Sequence, residues 1–71
     1  MAHQYGYRLE GFTSRDTTNG CDAERTADTM GKALLEAKYM LSDRYTRASE
    51  STAPIVIVHI LRNGELIREV C

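Results

Sequence analysis

Two cysteines and two histidines are the side chains of this sequence best suited to bind a metal: Cys21, Cys71, His3 and His59. Structural zinc sites usually pair such ligands at a spacing of about two to five residues. None of the four has a second cysteine or histidine that close along the chain. The sequence therefore predicts no metal and no cofactor, with Cys21 flanking a turn and Cys71 a free thiol. A disulfide between the two cysteines is not expected in a reducing compartment.

Nucleophilic catalysis needs a serine, cysteine or threonine beside a base that a third group orients. His59 lies within an apolar run, which predicts a strand histidine at the edge of the core rather than a catalytic base. The sequence contains neither Gly-x-Ser-x-Gly nor a phosphate-binding loop. We therefore expect that this protein is not an enzyme.

Two tyrosines on one face of a predicted strand, Tyr5 and Tyr7, lie beside Arg8. Proteins that bind single-stranded nucleic acids stack bases on aromatic platforms of this kind. The favoured interpretation is that these rings cover a thin core. A weak single-stranded nucleic-acid-binding domain that uses Tyr5, Tyr7, Arg8 and Arg68 is the alternative function.

A helix is predicted over residues 29–47, and Pro54 follows in the linker to the next element. On a wheel of about 100° per residue, the apolar stripe is centred on Leu34. The residues within about 60° of that centre are Met30, Ala37, Leu41, Tyr45 and Ala48.

The same helix carries the candidates for protein binding. Leu35 falls at about +100° and Tyr39 at about +140° on the wheel, outside the apolar stripe, and Met40 lies on the opposite flank. Leu35 and Tyr39 are neighbours four residues apart, so they predict an exposed ridge of the kind that protein partners contact. The alternative is that Leu35 packs under a loop and Tyr39 is a lone surface ring.

A β-hairpin is predicted at Asn63-Gly64, because Asn-Gly is the preferred pair of a two-residue type I′ turn. An apolar run over residues 55–61 precedes the turn, and residues 66–70 follow it. An unbroken register pairs Arg62 with Glu65, Leu61 with Leu66, Ile60 with Ile67, His59 with Arg68, Val58 with Glu69 and Ile57 with Val70. The charge pair beside the turn and the apolar pairs beyond it favour this register.

A second hairpin is predicted at Asn19-Gly20. Its register places Arg15 opposite Glu24, Thr13 opposite Thr26 and Phe12 opposite Ala27. The apolar positions shift phase across Gly11, which predicts a β-bulge. The return strand, near residues 21–27, has poor strand propensity, so a helix that begins at about residue 22 stays open as an alternative.

The predicted layout is β-β-α-β-β. It is one α+β domain over residues 1–71, in which a single helix packs across one face of a small antiparallel sheet. The alternative is β-α-β-β with a longer helix from about residue 22.

Charge is balanced: nine Lys+Arg stand against ten Asp+Glu, for a net charge of -1. No segment forms the basic stripe that would neutralise phosphates, which makes nucleic acid the less favoured partner. No apolar run approaches the ~18–20 residues that span a bilayer. We therefore expect a soluble, cytoplasmic domain with no membrane contact.

The layout resembles small accessory proteins encoded by phages and mobile elements, among them anti-CRISPR inhibitors. The residues that carry the resemblance are Ala-Leu-Leu-Glu-Ala-Lys at 33–38 and the Asn63-Gly64 turn. The resemblance implies a single domain that inhibits a larger protein by occluding its surface, and it carries over no functional residue. The leading expectation is a non-enzymatic protein-interaction module, acting as a monomer or as a homodimer through an open sheet edge.

Overall fold

The structure is a computed structural model, and it describes residues 6–18, 20–48 and 53–71. Its elements are β1 (Tyr7–Phe12), β2 (Ala23–Ala27), α1 (Met30–Met40), α2 (Asp43–Ala48), β3 (Ile57–Arg62) and β4 (Glu65–Val70). The strands form one antiparallel sheet in the order β2-β1-β3-β4, and α1 packs on one face of it. This arrangement confirms the predicted α+β fold and rejects the longer helix from residue 22.

The predicted helix over residues 29–47 forms as two helices, with a break at Leu41 and Ser42. The Ser42 hydroxyl donates to the Tyr39 carbonyl at 2.6 Å and accepts from the Tyr45 N–H at 3.3 Å. Serine is a preferred N-cap residue, so this side chain ends α1 and begins α2. Within the described ranges, neither helix is long and apolar enough to cross a membrane.

The buried face of α1 differs from the predicted stripe. Ala33, Ala37 and Met40 are fully buried, whereas Leu34 is only half-buried and Ala48 is exposed. On the helical wheel the buried centre is therefore rotated by roughly 90° from Leu34. Two alanines at the contact allow the helix axis to approach the sheet closely, which places the leucine at the margin of the core.

Gly11 lies directly under this contact. A Cβ atom there would stand 2.8 Å from Met40 Cε and 3.2 Å from Ile55 Cδ1. β1 pairs without interruption on both sides, so the predicted bulge at Gly11 is wrong. The shift of apolar positions from Leu9 to Phe12 is a change of face, because successive strand residues point to opposite sides. Phe12 is buried on the side away from α1, with its ring centroid 4.9 Å from that of His59.

The first hairpin exists, but its predicted register is wrong. The observed partners are Tyr7 with Ala27, Arg8 with Thr26, Leu9 with Arg25, Glu10 with Glu24 and Gly11 with Ala23. The connection spans residues 13–22 instead of a two-residue turn, and Asn19 lies outside the described residues. Asp22 closes this loop, since its carboxylate accepts from both the N–H and the hydroxyl of Thr13, at 2.8 and 3.0 Å.

The second hairpin forms at the predicted turn, where Asn63 and Gly64 both have positive φ, at 55° and 83°. The predicted pairs of Arg62 with Glu65 and Leu61 with Leu66 are confirmed. Beyond them Ile67 is an extra residue that forms a β-bulge, so that the later pairs are Ile60 with Arg68, His59 with Glu69 and Val58 with Val70. The unbroken register would have placed a glutamate opposite the fully buried Val58, whereas the bulge brings Val70 to that position.

Replacing Gly11 by valine is expected to lower the free energy of unfolding by about 1–3 kcal/mol, because the added methyls overpack the space under Met40 and Ile55. Urea denaturation measures the change. Gly31→Ala is the matched control: the nearest atom to its new Cβ is 4.0 Å away, and alanine in α1 should raise stability by about 0.5–1 kcal/mol. An unchanged midpoint for Gly11→Val would contradict the close approach of α1.

The loop between β1 and β2 contains a pH-sensitive contact. The Thr18 hydroxyl and N–H donate to Asp16 at 2.6 and 3.1 Å and lower the pKa of that carboxyl. The stabilisation from this contact is therefore present above the ordinary aspartate pKa and is lost as pH falls through the lowered value.

Thr18→Val removes the hydroxyl donor and should raise the Asp16 pKa toward its ordinary value, which an NMR titration of the carboxyl carbon measures. Thr17→Val, one residue earlier, should leave that pKa unchanged. A titration of Asp16 that is identical in the Thr18 variant and the unmodified protein would contradict the contact.

Candidate functional site

Leu35 is the most exposed of the large apolar side chains among the described residues, with 69% of its surface accessible. It projects from the flank of α1 because the alanine and methionine positions of the helix occupy the core contact. An open groove of about 430 Å³ runs between this flank and β2. Its lining consists of Thr26, Ala27, Asp28, Lys32, Leu35 and Glu36.

Tyr39, the second residue of the predicted ridge, is half-buried and held on two sides. Its ring meets that of Tyr45 edge-on, with centroids 5.3 Å apart. The Arg25 guanidinium lies 5.7 Å from the Tyr39 ring centroid, and Arg25 also forms an ion pair with Glu36. The interpretation of Tyr39 as a lone surface ring is therefore wrong, because Tyr39 contacts Tyr45 of α2 and Arg25 of β2.

Met40 does not belong to an exposed surface. Its side chain is 0% exposed and lies against Gly11 in the core, so its prediction as a partner-binding residue is wrong. The error follows from centring the helical stripe on Leu34. The contact instead forms around the small residues Ala33 and Ala37, and this rotation carries Met40 inward.

The predicted nucleic-acid surface is not assembled in the part of the chain that the structure describes. Tyr5 lies outside that part. Tyr7 packs against the core on the helix side, with the Arg62 guanidinium 5.5 Å from its ring centroid. Arg8, the next residue of the strand, faces the opposite side. Arg68 lies on β4, with β3 between it and β1.

Arg8 forms ion pairs with two carboxylates, those of Glu10 and Glu24. Its hydrogen bond to Glu10, at 3.0 Å, and the nearby charge of Glu24 raise the pKa of the guanidinium. Both glutamates lie on the sheet face away from α1, directly opposite each other in the register of β1 and β2. Arg8 therefore offsets their mutual repulsion and is already matched in charge before any phosphate approaches.

Cys21 completes a cluster with these glutamates: one ligand-type atom from each of Glu10, Cys21 and Glu24 lies within 4.8 Å of the others. Burial and a 3.5 Å contact to Glu24 raise the pKa of the Cys21 thiol, which keeps it protonated. Metal binding requires the thiolate, and Arg8 already offsets one of the two carboxylate charges. Sequence reasoning missed this cluster because the wrong register placed Glu24 opposite Arg15 instead of Glu10.

Among the described residues, His59 and Cys71 do not join this cluster. His59 Nε2 lies 3.0 Å from Glu69 Oε2, a contact that the bulge in β4 creates. Cys71 is exposed, and both cysteines are free. His3 lies outside the described residues.

The two edges of the sheet differ. β2 keeps one unbroken register with β1, and no strand lies on its outer side within the described ranges. β4 is interrupted at Ile67, which is 43% exposed beside Leu66 at 50%. A bulge disrupts the regular row of backbone groups on which a further strand pairs.

Comparison with protein-family models, with characterised proteins and with solved structures gave no match to this chain. What the site can do therefore has to follow from its own residues. The features that the described residues offer are one exposed leucine on α1, a groove beside it and an open strand edge.

Glu24→Gln should lower the pKa of Cys21, because it removes a negative charge beside the thiol. The expected result is a faster reaction of Cys21 with a disulfide reagent at mildly alkaline pH, measured in a Cys71→Ser background so that only one thiol reports. Glu65→Gln, on β4, is the control and should leave the rate unchanged. A rate for Glu24→Gln equal to that of the parent would contradict the cluster.

Proposed function

We propose that this protein is a non-enzymatic protein-interaction module, an inhibitor that acts by covering part of a larger protein's surface. The observation that carries the proposal is Leu35, exposed at 69% on the flank of α1 beside a groove and an open strand edge.

Leu35 has the energetics of an interface anchor. Complete burial of a fully exposed leucine side chain stabilises a complex by about 1.5–3 kcal/mol, and Leu35 can contribute in proportion to the 69% of its surface that is still accessible. Tyr39 is already held by Tyr45 and Arg25, so the surface around the anchor needs little ordering when a partner binds. Lys32 and Glu36 supply a polar rim of the kind that surrounds interface hot spots.

The reactive groups favour binding over catalysis. A cysteine nucleophile acts as the thiolate, and the raised pKa of Cys21 opposes that form. His59 is mostly buried and paired with Glu69, on the sheet face away from the groove. Both cysteines are free thiols, which suits a reducing compartment, and we place the module in the cytoplasm.

Leu35→Lys should reduce partner binding by about thirtyfold or more, the loss typical of an interface hot spot of ~2 kcal/mol. The measurement is affinity capture from lysate of the native host, with immobilised protein as bait and captured proteins quantified by mass spectrometry.

Leu66→Lys is the matched control, since Leu66 is also an exposed leucine but lies on β4 at the far edge of the sheet. It should capture the same partner as the parent protein, and circular dichroism should show both variants folded. Capture that survives Leu35→Lys unchanged, or that only Leu66→Lys abolishes, would exclude the α1 flank as the binding surface.

A further inference from the structure

We propose that the partner contributes an extended segment that adds a fifth strand to the sheet along β2 and places an apolar side chain against Leu35. This inference rests on the proposed function and names how the partner binds and what chemistry it brings.

β2 and α1 together form the two walls that such a segment needs. The groove is lined on the strand side by Thr26 and Ala27 and on the helix side by Lys32 and Leu35. At an edge strand, alternate residues direct their N–H and C=O groups away from the sheet, where an added strand pairs with them. A segment seated there pairs its backbone with β2 while one side chain reaches the helix flank.

The opposite edge of the sheet is less suited to strand addition. The extra residue Ile67 interrupts the register of β4 against β3, whereas β2 pairs with β1 over its whole length. Since strand addition requires a regular row of backbone donors and acceptors, the bulge leaves β2 as the edge for a partner.

The charges of β2 disfavour a second copy of this chain as the added strand. In antiparallel pairing of two copies of β2, the residue on the twofold axis lies opposite its own copy. An axis at Glu24 therefore places two glutamates opposite each other, and an axis at Arg25 places two arginines opposite each other. An axis at Thr26 would place Glu24 opposite Asp28. Like charges directly opposite on paired strands are destabilising, so all three central registers are penalised. The sheet-edge homodimer is therefore not the arrangement that β2 favours.

The groove also indicates the character of the segment. The lining of the groove carries Asp28, Lys32 and Glu36. Arg25 lies outside the lining but forms an ion pair with Glu36, so the groove and its ion-pair partner together have no net charge. The apolar surface it offers comes from Ala27 and Leu35. The chemistry that matches it is an extended segment of a different protein, uncharged where it pairs, with one aliphatic or aromatic side chain at the level of Leu35.

The test uses a phage-displayed library of random peptides, selected on the immobilised full-length protein. Enriched peptides are synthesised and titrated against isotopically labelled protein. We expect amide shift changes centred on residues 23–28 and on the groove side of α1, with slower hydrogen exchange along β2. N-methylation of alternate peptide bonds removes the strand donors and keeps the side chains, and should weaken binding at least about tenfold in one of the two alternations.

Three results would overturn strand addition. The first is that the peptides bind equally well after either pattern of N-methylation. The second is that the amide chemical-shift changes are confined to α1 or to β4. The third is a selection that yields no peptide acting on β2. Each of them leaves the protein-interaction function intact if Leu35→Lys still abolishes partner capture, whereas capture that survives Leu35→Lys refutes the proposed anchor itself.

Discussion

The close approach of α1 to the sheet at Gly11 determines the arrangement of the rest of the molecule. Ala33 and Ala37 present almost no side chain to the strands, and Met40 fills the space that the missing Cβ of Gly11 leaves open. This contact sets the rotation of α1 about its own axis. The exposure of Leu35 is a consequence, because Leu35 is two residues, or about 200°, round the helix from each of Ala33 and Ala37, so turning the alanine face to the sheet turns Leu35 away from it.

The same contact makes the sheet two-sided. Since Leu9 and Gly11 face α1, Phe12 points to the opposite face of the sheet, where it packs beside His59. The bulge at Ile67 serves this division, since it moves Glu69 onto the outer face beside His59 and brings Val70 to the core side. A chain of 71 residues buries only a small core, and the bulge adds Val70 to the side chains that pack against it.

Local patterns were enough to predict the turn at Asn63-Gly64, the helical region and the antiparallel α+β layout. The turn depends on two residues that accept positive φ. The helix can be predicted from its apolar periodicity even when the centre of its buried face is assigned to the wrong residue. The register of β1 against β2 could not be read in this way, because loop closure by Asp22 and the packing of Gly11 outweigh the Asn19-Gly20 signal. The exposure of Leu35 is predicted correctly because this residue lies far from the buried face whether that face is centred on Leu34 or on the alanines. Met40 is predicted as exposed only because the buried face is centred on Leu34, and it is in fact fully buried.

The two edges of the sheet are protected by different means, and the difference bears on recognition. The bulge at Ile67 makes β4 less suited to pairing with an added strand. β2 instead carries charged side chains, which affect pairing with a second copy of β2 differently from pairing with a neutral strand. Glu24 and Arg25 are each matched within the chain, by Arg8 and by Glu36, so a neutral strand approaches without leaving either of them unpaired. A copy of β2 instead brings like charges into opposition in the three central registers, which is why we propose a neutral partner strand rather than a second copy of this chain at this edge.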